Sequence, residues 1–166
     1  MPTGAGCRRA GAATVDVMAR VLLTGMSGAG KSTVLDELRR RGHLTVDTDY
    51  DGWELPDRTW DEVRMDRLLA QHRDLLVSGT VENQGQFYDR FEHVVLLSAP
   101  LSVLLQRVRN RTTNPYGKST EQQAEIATYT ETVEPLLRHG ATTELDGQRP
   151  VAELADVIEG LMGQTP

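Results

Sequence analysis

Residues 21–43 read VLLTGMSGAGKSTVLDELRRRGH. An apolar run, Val21 to Leu23, meets three glycines within six positions, Gly25, Gly28 and Gly30, and then a helical pattern that places Val34, Leu35 and Leu38 on one side. Glycine loses more backbone freedom on ordering than any other residue, so such a cluster is costly unless the backbone itself has work to do. Gly25-x-x-x-x-Gly30-Lys31-Ser32 is the phosphate-binding loop pattern, in the strand-to-helix context it requires. Successive N–H groups turned inward make an anion-binding nest, and the positive end of the following helix points at the same place. Lys31 would bring a full charge to the β- and γ-phosphates, the Ser32 hydroxyl could ligate Mg²⁺, and Thr33 lies near the α-phosphate. With Ser27 and Ala29 completing the loop, the expected ligand is a nucleoside triphosphate with Mg²⁺.

Outward from this loop, strands and helices alternate. Arg20 to Thr24 is a short apolar strand, and the helix from Lys31 ends near Gly42. A second strand is expected at 43–49, a helix at 60–72 with Val63, Leu68 and Leu69 inward, and a third strand at 74–81. A fourth strand follows at 93–100, then a helix at 101–111. The run TTNPYGKS (112–119) is a loop, because Pro115 and Gly117 both interrupt regular structure. One long helix is expected at 120–139, a last strand at 142–146 and a closing helix at 151–162. The strands are short and too apolar to have a wet face, which argues for a parallel sheet covered on both sides. The fold class is therefore α/β: a three-layer α/β/α sandwich around a five-stranded parallel sheet.

The bulk numbers agree with one such domain. A chain of 166 residues buries a single substantial core, and 39% hydrophobic with 25% charged residues is globular composition. A net charge of −6 argues against a nucleic-acid partner, and no apolar run approaches the length of a membrane span. One cysteine, Cys7, leaves no internal disulfide and suits a reducing, cytoplasmic setting. Residues 1–18 read as a flexible leader to a single domain over 19–166, and the expected assembly is a monomer or weak homodimer.

The second strand ends VDTDYDGW (46–53). Asp47 and Asp49 are two apart, so on an extended chain both point to one face, at the sheet edge where ligands of such folds sit. One carboxylate there can hold Mg²⁺ and the other can accept a proton from an acceptor hydroxyl. The glycine loop followed by Asp-Thr-Asp resembles the shikimate kinase and gluconate kinase branch of the nucleoside-monophosphate-kinase-like P-loop kinases. That resemblance implies ATP and Mg²⁺ as cofactors and a small hydroxyl-bearing molecule as phosphoryl acceptor. It makes Asp47 the metal-side carboxylate and Asp49 the group on the substrate hydroxyl. It also implies that Arg107, in the helix after the fourth strand, packs on the adenine, while Arg111 reaches the transferring phosphate from a mobile lid at about 110–120. The lid departs from the family, having Asn114-Pro115-Tyr116-Gly117 where shikimate kinases carry an Arg-Pro-Leu-Leu type run.

On the acceptor side, Arg58 could meet an anionic group, and the segment after the third strand offers Gly79 and Thr80. Shikimate kinases carry a glycine run there. This chain supplies Thr80, Glu82, Asn83 and Gln84, which suits a polyhydroxyl or amide-bearing acceptor better than a small carboxylic acid. Two alternatives stay open: a nucleoside monophosphate kinase, with Arg58 and Arg64 as the available phosphate clamp, and a regulatory nucleotide-binding protein. The latter resembles the nucleotide-binding half of the RNase adapter proteins, which are longer and carry Asp-Asn-Leu-Pro after the second strand.

Overall fold

The computed structural model describes residues 18–163; the expected leader, apart from Met18, lies outside the described residues. Five strands form the sheet: β1 (Arg20–Thr24), β2 (Thr45–Asp47), β3 (Leu75–Ser78), β4 (His93–Ser98) and β5 (Thr143–Asp146). Their spatial order is β2-β3-β1-β4-β5, and every pairing is parallel. Register sets Leu22 of β1 beside Val77 of β3 and Val94 of β4. Parallel neighbours need crossovers, which the helices supply: α1 (Lys31–Arg40), α2 (Glu62–Gln71), α3 (Leu101–Asn110), α4 (Thr120–Thr132), α5 (Glu134–Gly140) and α6 (Val151–Met162).

Alternation along the strands divides the core between the two faces. Val21 and Leu23 of β1, with Leu76, Val95 and Leu97, pack against Leu35 and Leu38 of α1 and Leu154 and Ile158 of α6. Leu22, Leu75, Val77 and Val94 face the other way, onto Trp53, Trp60, Met65, Leu69, Phe87 and Phe91. The edge strands are wetter than the alternation of elements suggests. All of β2 is only half-buried, and β5 buries Leu145 alone, because an edge strand is covered on fewer sides.

Three local expectations are corrected. The second strand spans three residues rather than seven, since Thr48 leaves it to bond Ser78 O through both its N–H and its hydroxyl, each at 2.8 Å. The helix expected at 120–139 is two helices. Pro135 has no N–H to continue the ladder, so the chain breaks at Val133 and restarts. In α2 Met65 and Leu69 are buried and Leu68 half-buried against the same cluster, while Val63, on the opposite side, is exposed; the helix itself starts after the capping Asp61 rather than at Trp60. Gln84–Arg90, to which the sequence reading assigns no element, forms a 3₁₀ segment that buries Gln84 and Phe87.

Candidate active site

The loop between β1 and α1 is built by its backbone. Gly25 has φ 149° and Gly28 has φ 88°, values that L side chains rarely adopt. A Cβ on Gly25 would fall onto the Leu97 carbonyl oxygen, and one on Gly28 would lie 2.6 Å from that of Leu104. Both glycines therefore let the loop press against β4 and α3. Helix α1 opens at Gly30 with no side-chain cap and no acidic residue in its first turn, so its N-terminal donors face the loop without internal competition.

Lys31 Nζ donates to Gly25 O at 2.6 Å and Met26 O at 3.3 Å, which folds the ammonium back over the loop. Burial pushes its pKa down, and the charges of Asp49 and Asp47 pull it part of the way back. Ser32 Oγ donates to Asp47 Oδ2 at 2.9 Å. Burial raises the Asp47 carboxyl, although the Ser32 hydrogen bond opposes this. Among the described residues no cluster of three or more His, Cys, Asp or Glu side chains could hold a metal. The Ser32–Asp47 pair fits Mg²⁺ nonetheless, because that ion keeps several waters and takes one or two protein oxygens beside phosphate.

Two cavities meet at this point. The larger, of about 760 Å³, runs along the loop from Ser27 to Thr33 and on to Arg107, Arg111, Gly147 and Arg149. The smaller, of about 430 Å³, lies beyond Lys31, between the β1 and β3 ends and α4. Lys31 and Asp49 line both. Each nucleotide-side residue expected from the sequence other than Gly25 borders the large cavity; Gly25 borders the small one.

The arginines are held by specific acceptors. Arg107 donates from Nη1 to Gly28 O (3.3 Å) and Ala29 O (3.1 Å), and from Nη2 to Gly147 O (2.8 Å). Arg111 Nη2 donates to Ser27 Oγ at 3.1 Å and Tyr116 O at 2.7 Å. Its Nε is buried without a hydrogen-bond partner among the described residues, and burial lowers the guanidinium's pKa. Lys118 ties the 112–119 loop to the end of α3 through Arg109 O and Arg111 O.

The acceptor-side expectations divide. Thr80 lines the small cavity, its hydroxyl donating to Gly25 O (2.9 Å) and accepting from Gly25 N (3.2 Å). Arg58 also lines it, but its guanidinium bonds Tyr129 Oη (2.6 Å) and Glu125 (3.4 Å). Gly79 borders neither cavity; a Cβ there would fall onto Thr48 Oγ1, so the glycine is a close-packing point under Trp60. Asn83 and Gln84 turn inward. Asn83 Oδ1 accepts from Trp60 N, and Gln84 bonds Val81 N, Thr24 and Tyr88.

Sequence reading passed over three contributors. Thr48 receives the Trp60 indole N–H at 3.0 Å and so pins the strand end between the two aspartates. Glu125 and Tyr129 on α4 join Tyr116 of the 112–119 loop, whose hydroxyl donates to Glu125 at 2.6 Å. The one local signal was the i, i+4 spacing of Glu125 and Tyr129, which marks a shared helix face and nothing about its partner.

Comparison with known proteins agrees with the fold. A shikimate kinase from Acinetobacter baumannii, solved with shikimate, superposes with a TM-score of 0.70 at 23% identity, over 88% of this chain and 93% of that one. A shikimate kinase from Bacteroides thetaiotaomicron gives 0.64 at 20% identity, over 86% and 99%. A gluconokinase from Sinorhizobium meliloti 1021 gives 0.55 at 18% identity, over 87% and 92%. The resemblance to the shikimate and gluconate kinase branch is thus matched in three dimensions. No curated protein matches the sequence significantly. The family model described as an AAA domain matches residues 21–128, more than half of the chain, and the protein belongs to that family.

Proposed function

We propose that this protein is a small-molecule kinase that moves the γ-phosphoryl group of ATP to a hydroxyl acceptor. One observation carries the reading: Lys31 and Asp49 stand on the boundary of two cavities, one along the glycine loop and one beyond it. A triphosphate laid along the loop would present its terminal group at that boundary, where an acceptor oxygen could approach in line.

Roles follow from position. Gly25 to Thr33 hold the phosphates with backbone donors. Lys31, already desolvated, stabilises the charge that develops on the transferring group. Asp49, exposed just past the end of β2, accepts the proton of the acceptor hydroxyl. Ser32 and Asp47 would hold Mg²⁺, which would supply positive charge against the phosphates. The unpartnered Nε of Arg111 suits a phosphate oxygen, and the 112–119 loop acts as a lid that excludes water. The nucleoside monophosphate alternative gains less support. Of its two clamp candidates, Arg58 is bound to Glu125 and Tyr129, while Arg64 lies 3.8 Å over the Trp53 ring and bonds Asp51 O.

A coupled assay of ADP release, run with Mg-ATP over nucleotides, sugars and cyclic acids, tests the reading. Lys31→Ala is expected to lower turnover by about two to three orders of magnitude with an unchanged circular dichroism spectrum. Wild-type-like turnover of that variant rejects the assignment.

A further inference from the structure

The acceptor cavity is acidic, and its one basic residue outside the phosphate loop is already neutralised. Asp49, Glu54 and Glu82 all line it, and none of their carboxylates meets a hydrogen-bond donor or a cation within bonding distance among the described residues. Glu54 is held above its ordinary carboxylate value by burial and then by the charge of Asp49, while the charge of Arg58 acts in the opposite direction without cancelling them. Lys31 belongs to the phosphate side, folded onto Gly25 and Met26 carbonyls. Arg58 is fixed by Glu125 and the Tyr129 hydroxyl, and Glu125 also receives the Tyr116 hydroxyl. Met26, Val81, Ile126 and Val133 add an apolar part of the wall, beside the neutral polar Ser27, Thr80 and Asn114.

Resting on the kinase reading above, we infer that the phosphoryl acceptor is an amine-bearing alcohol, cationic at neutral pH, with a ring or other apolar body. A carboxylate or phosphate placed here would meet three carboxylates that lack ion-pair partners among the described residues, with Lys31 held on the phosphate side and Arg58 already paired with Glu125. An ammonium group reverses each of those interactions. It would pair with Glu54 and Glu82 while its hydroxyl lies against Asp49; Tyr116 and Tyr129 also line the cavity, and aromatic rings favour cations. Specificity of this kind comes as much from repelling acids as from attracting amines. The chemistry separates this site from one that binds shikimate, a carboxylic acid.

The test uses the full chain and three six-carbon polyhydroxyl compounds of different charge: cationic glucosamine, neutral glucose and the open-chain anion gluconate. Binding of each is measured by calorimetry in the presence of Mg²⁺ and a non-hydrolysable ATP analogue, and phosphoryl transfer by ADP release. Glucosamine is expected to bind about tenfold tighter than gluconate. The double variant E54Q/E82Q is expected to erase that difference, with uptake of the ATP analogue as its folding control. No preference for the amine, or a preference that survives in the double variant, overturns the inference. The two readings fail separately. Amine-selective binding without phosphoryl transfer refutes the kinase and leaves the charge-selective cavity standing. Equal transfer to gluconate and glucosamine does the reverse.

Discussion

Gly79 illustrates how one position can carry either of two roles that look alike in sequence. As part of a glycine run it reads as backbone for a substrate, yet here its missing Cβ makes room for Thr48, and Thr48 in turn receives the Trp60 indole. Gly79→Ala is therefore expected to cost about 1–3 kcal/mol of stability, read as a lowered urea midpoint, before it changes any affinity. An unchanged midpoint with weakened acceptor binding would restore the substrate role. The shape of the glycine loop, by contrast, was legible in the sequence, because Gly25, Gly28 and Gly30 all take positive φ in a turn that their local spacing encodes. Arg58 was legible only as a charge. Its partners Glu125 and Tyr129 lie about 70 residues onward, and no local pattern reports where a guanidinium points.

At the scale of elements, the alternation of strands and helices was readable from hydrophobic period, and the sheet came out parallel as that pattern requires. Boundaries were less so. Pro135 divides α4 from α5 within a stretch whose apolar spacing continues across it, and the 3₁₀ segment Gln84–Arg90 hides two buried residues inside a polar run. Helix α4 depends on its beginning. Ser119 Oγ accepts from Gln122 N at 3.2 Å, the Gln122 side chain accepts from Ser119 N at 3.4 Å, and the same amide receives Gly117 N. Ser119→Ala is expected to lose about 1 kcal/mol. Because this cap also anchors the 112–119 loop, amide exchange should quicken at residues 117–123 before it does in α6. Uniform acceleration across the chain would assign the loss to global stability instead.

At the scale of the whole molecule, an ion pair joins two neighbouring strands of the sheet. Glu92, just before β4, takes hydrogen bonds from Arg20 of β1 at Nη2 (2.7 Å), Nε (3.2 Å) and the backbone N–H (2.6 Å). Burial alone would raise this carboxyl, but the bonds from Arg20 outweigh it and hold it below its ordinary value of 4.5. A carboxyl depressed by folding contributes stability that is complete above about pH 4.5 and fades as pH falls through the lowered value. Glu92→Gln should cost about 1–2 kcal/mol at pH 7, a gap that narrows steadily on acidification. A gap independent of pH would point to packing rather than charge.

Arg107 gathers the carbonyls of Gly28 and Ala29 from one end of the chain and of Gly147 from the other. Synthesis proceeds from the N-terminus, so the strand and helix that flank the glycine loop emerge more than a hundred residues before the turn that completes this clasp. A ribosome-bound chain halted ahead of Gly147 should accordingly retain no triphosphate. Nucleotide capture then becomes a late event in the protein's own biogenesis, and it reports that the C-terminal turn has docked.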